Sequence, residues 1–143
     1  TVLMFDVDDF KKYNDQFGHD TGDEIIRATG ELFRKLCRSQ DVVTRYGGDE
    51  FVVVFWDCDG PRTPGSKHPQ AALSVLQRAK KTLETKAFPA LGATGQGSLT
   101  ISGGLATYPW DGNTKEELIH RADEALLAAK RAGKNRIFLV GQE

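Results

Sequence analysis

Seven consecutive residues, Arg45-Tyr46-Gly47-Gly48-Asp49-Glu50-Phe51, place two glycines and two carboxylates between apolar runs, Val42-Val43 before and Val52-Val53-Val54-Phe55 after. The pattern reads as a hairpin turn. Gly47 and Gly48, lacking Cβ, are expected to tolerate φ > 0 and to let a large ligand approach the backbone. Asp49 and Glu50 put anionic oxygen on the same turn. An ordinary hairpin tip would use Asn-Gly and stay neutral. Paired glycines with paired acids point instead to a phosphate-bearing ligand bridged by a divalent cation.

Other residues could share that chemistry. Asp6 follows the uniformly apolar Val2-Leu3-Met4-Phe5, a run expected to form a strand buried on both faces and to stop at Asp6. A carboxylate there is poorly solvated and needs a cation or a set of donors. It also stands where α/β sheets present ligand groups. If this strand lies beside the hairpin, Asp6 and Asp49 converge as hard oxygen ligands suited to Mg2+. Asp8 and Asp9 come next, and acids at a helix start also complement its dipole. Asn14 and Asp23 fall on successive predicted helices. Together they could read guanine, the carboxylate accepting from N1–H and the 2-amino group; helix capping and dipole compensation are the plainer alternative.

Lys130 and Lys134, four apart at the end of the last predicted helix, could hold phosphates as point charges or simply complement the helix dipole. Lys11 has the same two readings. Arg38 and Asp41, three apart, read on their own as a solvated surface pair. His19, His68 and His120 are too scattered for a metal site, and no Ser-His-Asp or Cys-His arrangement is evident.

The elements that must position these residues follow from periodicity and breakers. After the first strand come a short helix near 8–17, stopped by Gly18, and a second near 21–38 with Ile25, Ala28, Leu32 and Leu36 as its apolar stripe. Thr21 and Glu24 have capping-box spacing, as do Thr114 and Glu117. The hairpin occupies about 42–46 and 51–56. Residues 57–69 and 89–97 are loops, flanking a helix near 70–86. A strand at 98–108, a helix at 114–132 stopped by Gly133 and a strand at 136–140 complete the chain. The order β-α-α-β-β-α-β-α-β predicts an α/β (α+β) fold, a central mixed β-sheet flanked by helices and related to the ferredoxin-like split βαβ.

The 143 residues suffice for one domain with a proper core. A net charge of −1 argues against a broad nucleic-acid-binding face. Cys37 and Cys58 match no zinc spacing; Cys37 falls on a helix's apolar face as a small core hydrophobe, and a reducing, cytoplasmic compartment fits. No apolar stretch approaches membrane-spanning length and no signal peptide is visible. A chain opening directly in a strand-like run reads as a domain excised from a longer protein.

Taken together, these residues resemble the GGDEF domain, the catalytic domain of bacterial diguanylate cyclases. Gly47–Phe51 spells the family's signature. Phe5-Asp6-Val7-Asp8-Asp9-Phe10-Lys11, Asn14-Asp15 and Gly18-His19-Asp20-Thr21-Gly22-Asp23 are similar to its first segment. Ser102-Gly103-Gly104 and the run from Ala122-Asp123-Glu124-Ala125-Leu126 through Lys130, Gly133, Lys134 and Asn135 are similar to its closing segment. The resemblance implies a nucleotide-cyclase-like fold and condensation of two GTP into cyclic di-GMP with release of two pyrophosphates. Asp6, Asp49 and the Val7 carbonyl, with Glu50 as a further ligand, would hold Mg2+ (or Mn2+). Asn14 and Asp23 would read guanine. The backbone at Asp9 and Phe10, with Lys11, Lys130 and Lys134, would cradle the phosphates on the open turn of Gly47 and Gly48. Either Asp49 or Glu50 would take the proton of the ribose 3′-hydroxyl.

One such domain binds one GTP, so a homodimer is implied. Arg38-x-x-Asp41, six residues before Gly47, is similar to the family's inhibitory site for cyclic di-GMP. A sensory domain elsewhere in the full-length protein is implied too, along with any membrane anchor, while this domain itself contacts neither membrane nor nucleic acid polymer. Two departures stand out: Leu127 replaces the usual tyrosine, a change expected only to repack a helix, and Lys134 replaces the usual arginine, a point charge in place of a fork. The alternative is a non-catalytic module binding cyclic di-GMP or GTP, against which the intact Asp6, Asp49 and Glu50 weigh.

Overall fold

A computed structural model describes residues 1–58, 62–63, 65, 71–86 and 99–141. In chain order the elements are β1 (Val2–Val7), α1 (Phe10–Phe17), α2 (His19–Leu36), β2 (Val42–Arg45), β3 (Glu50–Val54), α3 (Ala71–Thr85), β4 (Ile101–Ala106), α4 (Lys115–Arg131) and β5 (Ile137–Leu139). This is the expected order. The strands form one five-stranded sheet in the order β2-β3-β1-β4-β5. Pairing is antiparallel except between β4 and β5, so the sheet is mixed as predicted.

β1 lies at the centre with every residue buried, which explains the apolar run Val2–Phe5. Alternate side chains serve two cores. Leu3, Phe5 and Val7 face one core with Phe51 and Val53 of β3, Ile25 and Phe33 of α2, and Leu76 and Leu83 of α3. Val2, Met4, Val52 and Ala106 face the other against Leu118, Ala122 and Leu126 of α4. Phe5 stacks between Phe33 and Phe51, with ring centroids 4.2 and 5.1 Å away. Truncating such a ring typically costs about 3–5 kcal/mol. α4 sits directly on β4 because Gly104 has no side chain: a Cβ there would lie 2.8 Å from that of Ala125 and overlap the Ala122 carbonyl oxygen.

Several local expectations change. β1 runs through Val7, so Asp6 lies inside the strand rather than beyond its end, held there by pairing with both β3 and β4. α2 starts directly after Gly18, placing Thr21 within the helix; its hydroxyl donates to the Phe17 carbonyl, 3.0 Å away, and forms no capping box with Glu24. The Thr114–Glu117 capping box does form. The strand expected at 98–108 is limited to Ile101–Ala106. Cys37 caps the end of α2 and packs, half-buried, against the larger core, where burial pushes its thiol up to about 11. Leu127 is 42% exposed, so its departure from tyrosine repacks nothing inside. The 89–97 loop, most of 57–69, and His68 lie outside the described residues. Among the described residues no helix is long and apolar enough to cross a membrane.

Candidate active site

The central strand carries Asp6 to the edge of the buried sheet, opposite Glu50 in the β1–β3 register. One residue earlier, the Asp49 carbonyl accepts from the Val7 amide at 3.4 Å, so the acidic turn is stitched to β1 beside Asp6 and Val7. The first strand thus lies beside the hairpin as expected, and the Asp49 charge reaches Asp6. Asp6 is 3% exposed. Burial pushes its carboxyl up to about 6; the Lys130 ammonium opposes that rise, and the charges of Asp49 and Asp8 add to it. Lys130, from α4, is ion-paired with Asp6 Oδ2. The other oxygen, Asp6 Oδ1, is buried without a hydrogen-bond partner.

That orphan oxygen is a vacancy in hydrogen bonding that a cation would fill. Among the described residues, no three Asp, Glu, His or Cys side chains converge as a ready-made metal cage. Mg2+ rarely needs one: it commonly takes one or two carboxylates and completes its shell with water and substrate phosphate. Asp6, Asp49 and the Val7 carbonyl fit that donor set.

The glycine-acid turn is closed by amides of Tyr46 and Gly47 donating to the Glu50 carbonyl at 2.8 and 3.3 Å. Arg45 folds its fork onto the Gly48 carbonyl, with Nε at 3.0 Å and Nη2 at 2.7 Å. Sequence reading assigned Arg45 no part, because a side chain reaching back to its own turn leaves no periodic signal. Neither Gly47 nor Gly48 takes a positive φ. This corrects the expectation. The hydrogen bonds close the turn without a positive φ at either glycine, and glycine matters here for openness. A Cβ on Gly48 would meet nothing within 4 Å, and one on Gly47 only Glu50 Oε2 at 3.1 Å.

The β1–α1 junction supplies a second group. Asp9 is the N-cap of α1 in a left-handed conformation, φ 56°, and its side chain makes no capping bond. First-turn amides of such a helix, those of Phe10 and Lys11, have no intrahelical acceptor and suit an anion. The Asp9 carboxylate turns instead to Lys134 Nζ at 2.8 Å and Lys12 Nζ at 3.2 Å. The Lys134 hydrogen bond first, with Lys12 in support, holds its carboxyl below the usual range. Lys11 is exposed beside them. Both candidate phosphate lysines of the last helix and its exit thus rest on acids of the β1–α1 segment.

Asn14 of α1 packs against Gly22 of α2, the residue before Asp23. Asn14 Oδ1 is buried without a partner. It rests against Gly22, where a Cβ would overlap Oδ1 and lie 2.9 Å from Asn14 Cγ and 3.1 Å from Phe10 Cζ. Asp23, the next residue, is exposed. Gly22 had no assigned role in the sequence, since close approach across two helices is not a local pattern.

Arg38 and Asp41 sit away from this cluster, in the turn between α2 and β2. They do not form the solvated ion pair read from spacing alone. Asp41 Oδ2 accepts from the Arg38 amide at 2.8 Å and Oδ1 from the Trp56 amide at 3.0 Å, leaving the guanidinium exposed. Asp41 is thereby a fastener for its turn. With Phe55, Trp56, Arg62 and Val75 the two residues line a cleft, and Arg78 of α3 reaches the neighbouring Leu36 carbonyl at 3.5 Å.

Two acids at one end of a central strand, a glycine-acid hairpin and two lysines facing them form a constellation that comparison with known proteins can test. A family model described as "Diguanylate cyclase, GGDEF domain" matches residues 1–136. The chain belongs to the GGDEF family. Diguanylate cyclase DosC of Escherichia coli K12 is 40% identical over 141 residues, and response regulator PleD of Caulobacter vibrioides is 35% identical over 137. These alignments take in 97% and 96% of this chain but only 28% of either relative's length. The crystal structure of the GGDEF domain of YfiN (also TpbB) from Pseudomonas aeruginosa superposes with a TM-score of 0.79 at 32% identity, covering 99% of this chain and 82% of that one. The GGDEF domain of DgcB from Caulobacter crescentus, solved in complex with c-di-GMP, has a TM-score of 0.76 at 28% identity, covering 97% and 76%. The mixed sheet and its flanking helices are thus a GGDEF fold.

Proposed function

We propose that residues 1–143 act as the catalytic domain of a diguanylate cyclase, joining two GTP into cyclic di-GMP and releasing two pyrophosphates. The observation that carries this reading is the meeting of Asp6, with its orphaned buried oxygen, and the Asp49 turn, under two lysines. Asp6, Asp49 and the Val7 carbonyl would hold Mg2+ or Mn2+, with Glu50 near enough in register to assist. Bound there, the ion would offset charge on the non-bridging and leaving oxygens.

The chain's own groups supply the rest. Asn14 and Asp23 bind the guanine base. First-turn amides at Phe10 and Lys11, with Lys11, Lys130 and Lys134, hold the triphosphate over the open Gly47-Gly48 turn. Asp49 or Glu50 accepts the proton of the ribose 3′-hydroxyl as its oxygen attacks the α-phosphorus of the other nucleotide in line. The bond to pyrophosphate breaks as the new ester forms. Each domain contributes one nucleotide, so two copies must face each other, and turnover rests mainly on positioning and electrostatics. Product would bind at Arg38, whose exposed fork suits a guanine edge or phosphate, on the turn that Asp41 fastens. In this reading the domain works in the cytoplasm, governed by a sensory domain elsewhere in the full-length protein.

The test is incubation of the dimerised chain with GTP and Mg2+, followed by chromatography for cyclic di-GMP. Product is expected from the wild type, with a loss of roughly a thousandfold in Asp49→Ala, on the scale of removing a metal's charge stabilisation. A folded, GTP-binding dimer that yields no product would overturn the proposal.

A further inference from the structure

Asp8 is the second acid of the Asp6-Val7-Asp8-Asp9 run, bonded to Ser102, the residue that faces Asp6 across the β1–β4 pairing. It is buried, 5% exposed, and fully occupied. Oδ1 accepts from Ser102 Oγ at 2.6 Å. Oδ2 accepts from Thr100 Oγ1 at 2.7 Å and from the Asn135 amide at 3.0 Å. Two of these donors belong to β4 and its entry, so they only satisfy the carboxylate within the sheet. The third comes from the turn between α4 and β5, 127 residues away in sequence.

That turn has an unusual backbone. Gly133, Lys134 and Asn135 all have positive φ, at 110°, 62° and 48°. Glycine accepts such angles freely and asparagine tolerates them, but lysine pays a steric cost, so the surroundings must hold it there. The Lys134 amide donates to the Ala129 carbonyl at 3.1 Å. From α3, Lys80 Nζ donates to the Asn135 carbonyl at 2.6 Å, while Asn135 Nδ2 donates to Glu84 Oε1 at 3.3 Å. Asp8, just past the end of the central strand, accepts from the Asn135 amide. The outcome is that Lys134 leaves the end of α4 pointing back to Asp9, at the helix start that would receive phosphate.

We propose that Asp8 is a positioning residue for the substrate triphosphate. Its buried carboxylate grips the Asn135 amide, fixes the left-handed turn and so aims Lys134 at the β1–α1 phosphate seat. This rests on the diguanylate cyclase reading above. The lysine in place of arginine makes the requirement sharper, because a single ammonium has no second nitrogen with which to compensate for a displaced backbone.

The experiment pairs a readout that needs no nucleotide with one that does. Asp8→Asn is nearly isosteric but can turn an NH2 group toward the Asn135 amide. Hydrogen exchange of that amide in the nucleotide-free protein should accelerate at least tenfold, and KM for GTP should rise about tenfold with kcat changed less than threefold. In a Lys134→Met background the same Asp8→Asn change should move KM less than twofold, whereas a merely structural Asp8 would give the same factor in both backgrounds. Thr100→Val removes a donor but leaves the Asn135 bond, and should lower Tm with KM little changed. If Asp8→Asn does not fold, Asp8→Glu, which keeps the charge but shifts the acceptor by one methylene, takes its place with the same expectations. Unchanged Asn135 exchange, or equal KM factors with and without Lys134, overturns the proposal. Accelerated exchange in a chain whose wild type binds no GTP supports the grip on the turn, overturns its role toward substrate and counts against the cyclase reading.

Discussion

Lys130 Nζ is ion-paired with Asp6, the buried carboxylate best suited to receive a metal. Ammonium and metal therefore compete for one carboxylate in the nucleotide-free protein. When nucleotide phosphates arrive, they offer the lysine another partner. Removing the ammonium as Lys130→Met should tighten Mn2+ binding in the absence of nucleotide by about three- to tenfold, equivalent to about 1 kcal/mol. Turnover of GTP should nonetheless fall, since the phosphates lose a cation. Electron paramagnetic resonance titration of free Mn2+ reads the first effect, and an unaltered or weaker Mn2+ affinity would show that Lys130 does not guard the site.

Burial raises the Asp6 carboxyl to about 6 from an ordinary 3.8, so the folded chain binds this proton more tightly than the unfolded chain. The contribution to stability is fully present below about pH 3.8 and is lost as pH climbs through 6. Asp6→Asn keeps the shape and removes the titration. The stability advantage of this variant over wild type should be small at pH 4, grow through pH 6 and level off near pH 7 at about 3 kcal/mol. Metal should reverse the order, because only the wild type gains from added Mg2+. Parallel unfolding curves for the two proteins across that range would contradict the buried, proton-hungry Asp6.

Gly22 gives Asn14 its place. A methyl group at residue 22 would overlap Asn14 Oδ1 and crowd Phe10. Gly22→Ala should cost about 1–3 kcal/mol, as overpacking does, and weaken GTP binding about tenfold by displacing the amide. Binding of cyclic di-GMP at Arg38 should be unaffected. Calorimetry with both ligands distinguishes this local displacement from general loss of fold, which would weaken both.

Arg38 and Asp41 should separate in their effects. Arg38→Ala is expected to leave Tm within a degree or two and to relieve product inhibition by cyclic di-GMP. Asp41→Ala should do so too, but with a stability loss of about 1–2 kcal/mol, because its carboxylate holds the Arg38 and Trp56 amides. Equal Tm values for the two variants would remove the fastening role.

Much of this was legible in the chain. The apolar run Val2–Phe5, the stripe of α2 and the Thr114–Glu117 box of α4 are local patterns, and each gave its element. The expected approach of Asp6 and Asp49 rested on one assumption about strand neighbours, which the β1–β3 register bears out. What the chain did not disclose depends on distant partners. Thr21 looked like a helix cap because its spacing to Glu24 was right; only the close succession of α1 and α2 makes it an interior residue. Gly47 and Gly48 looked conformational, yet neither takes a positive φ and their value lies in empty space. Asp8, Gly22 and Arg45 act through contacts that no periodicity announces.

The central claim is that this chain holds half of an active site, and its most direct test is the rate of cyclic di-GMP formation as a function of protein concentration. With saturating GTP and Mg2+ and the chain mostly monomeric, the initial rate should rise with the square of concentration and become linear once two copies are joined by an appended dimerising helix. A rate linear in concentration for the unlinked monomer, or no product from the linked form while GTP is bound, would contradict it.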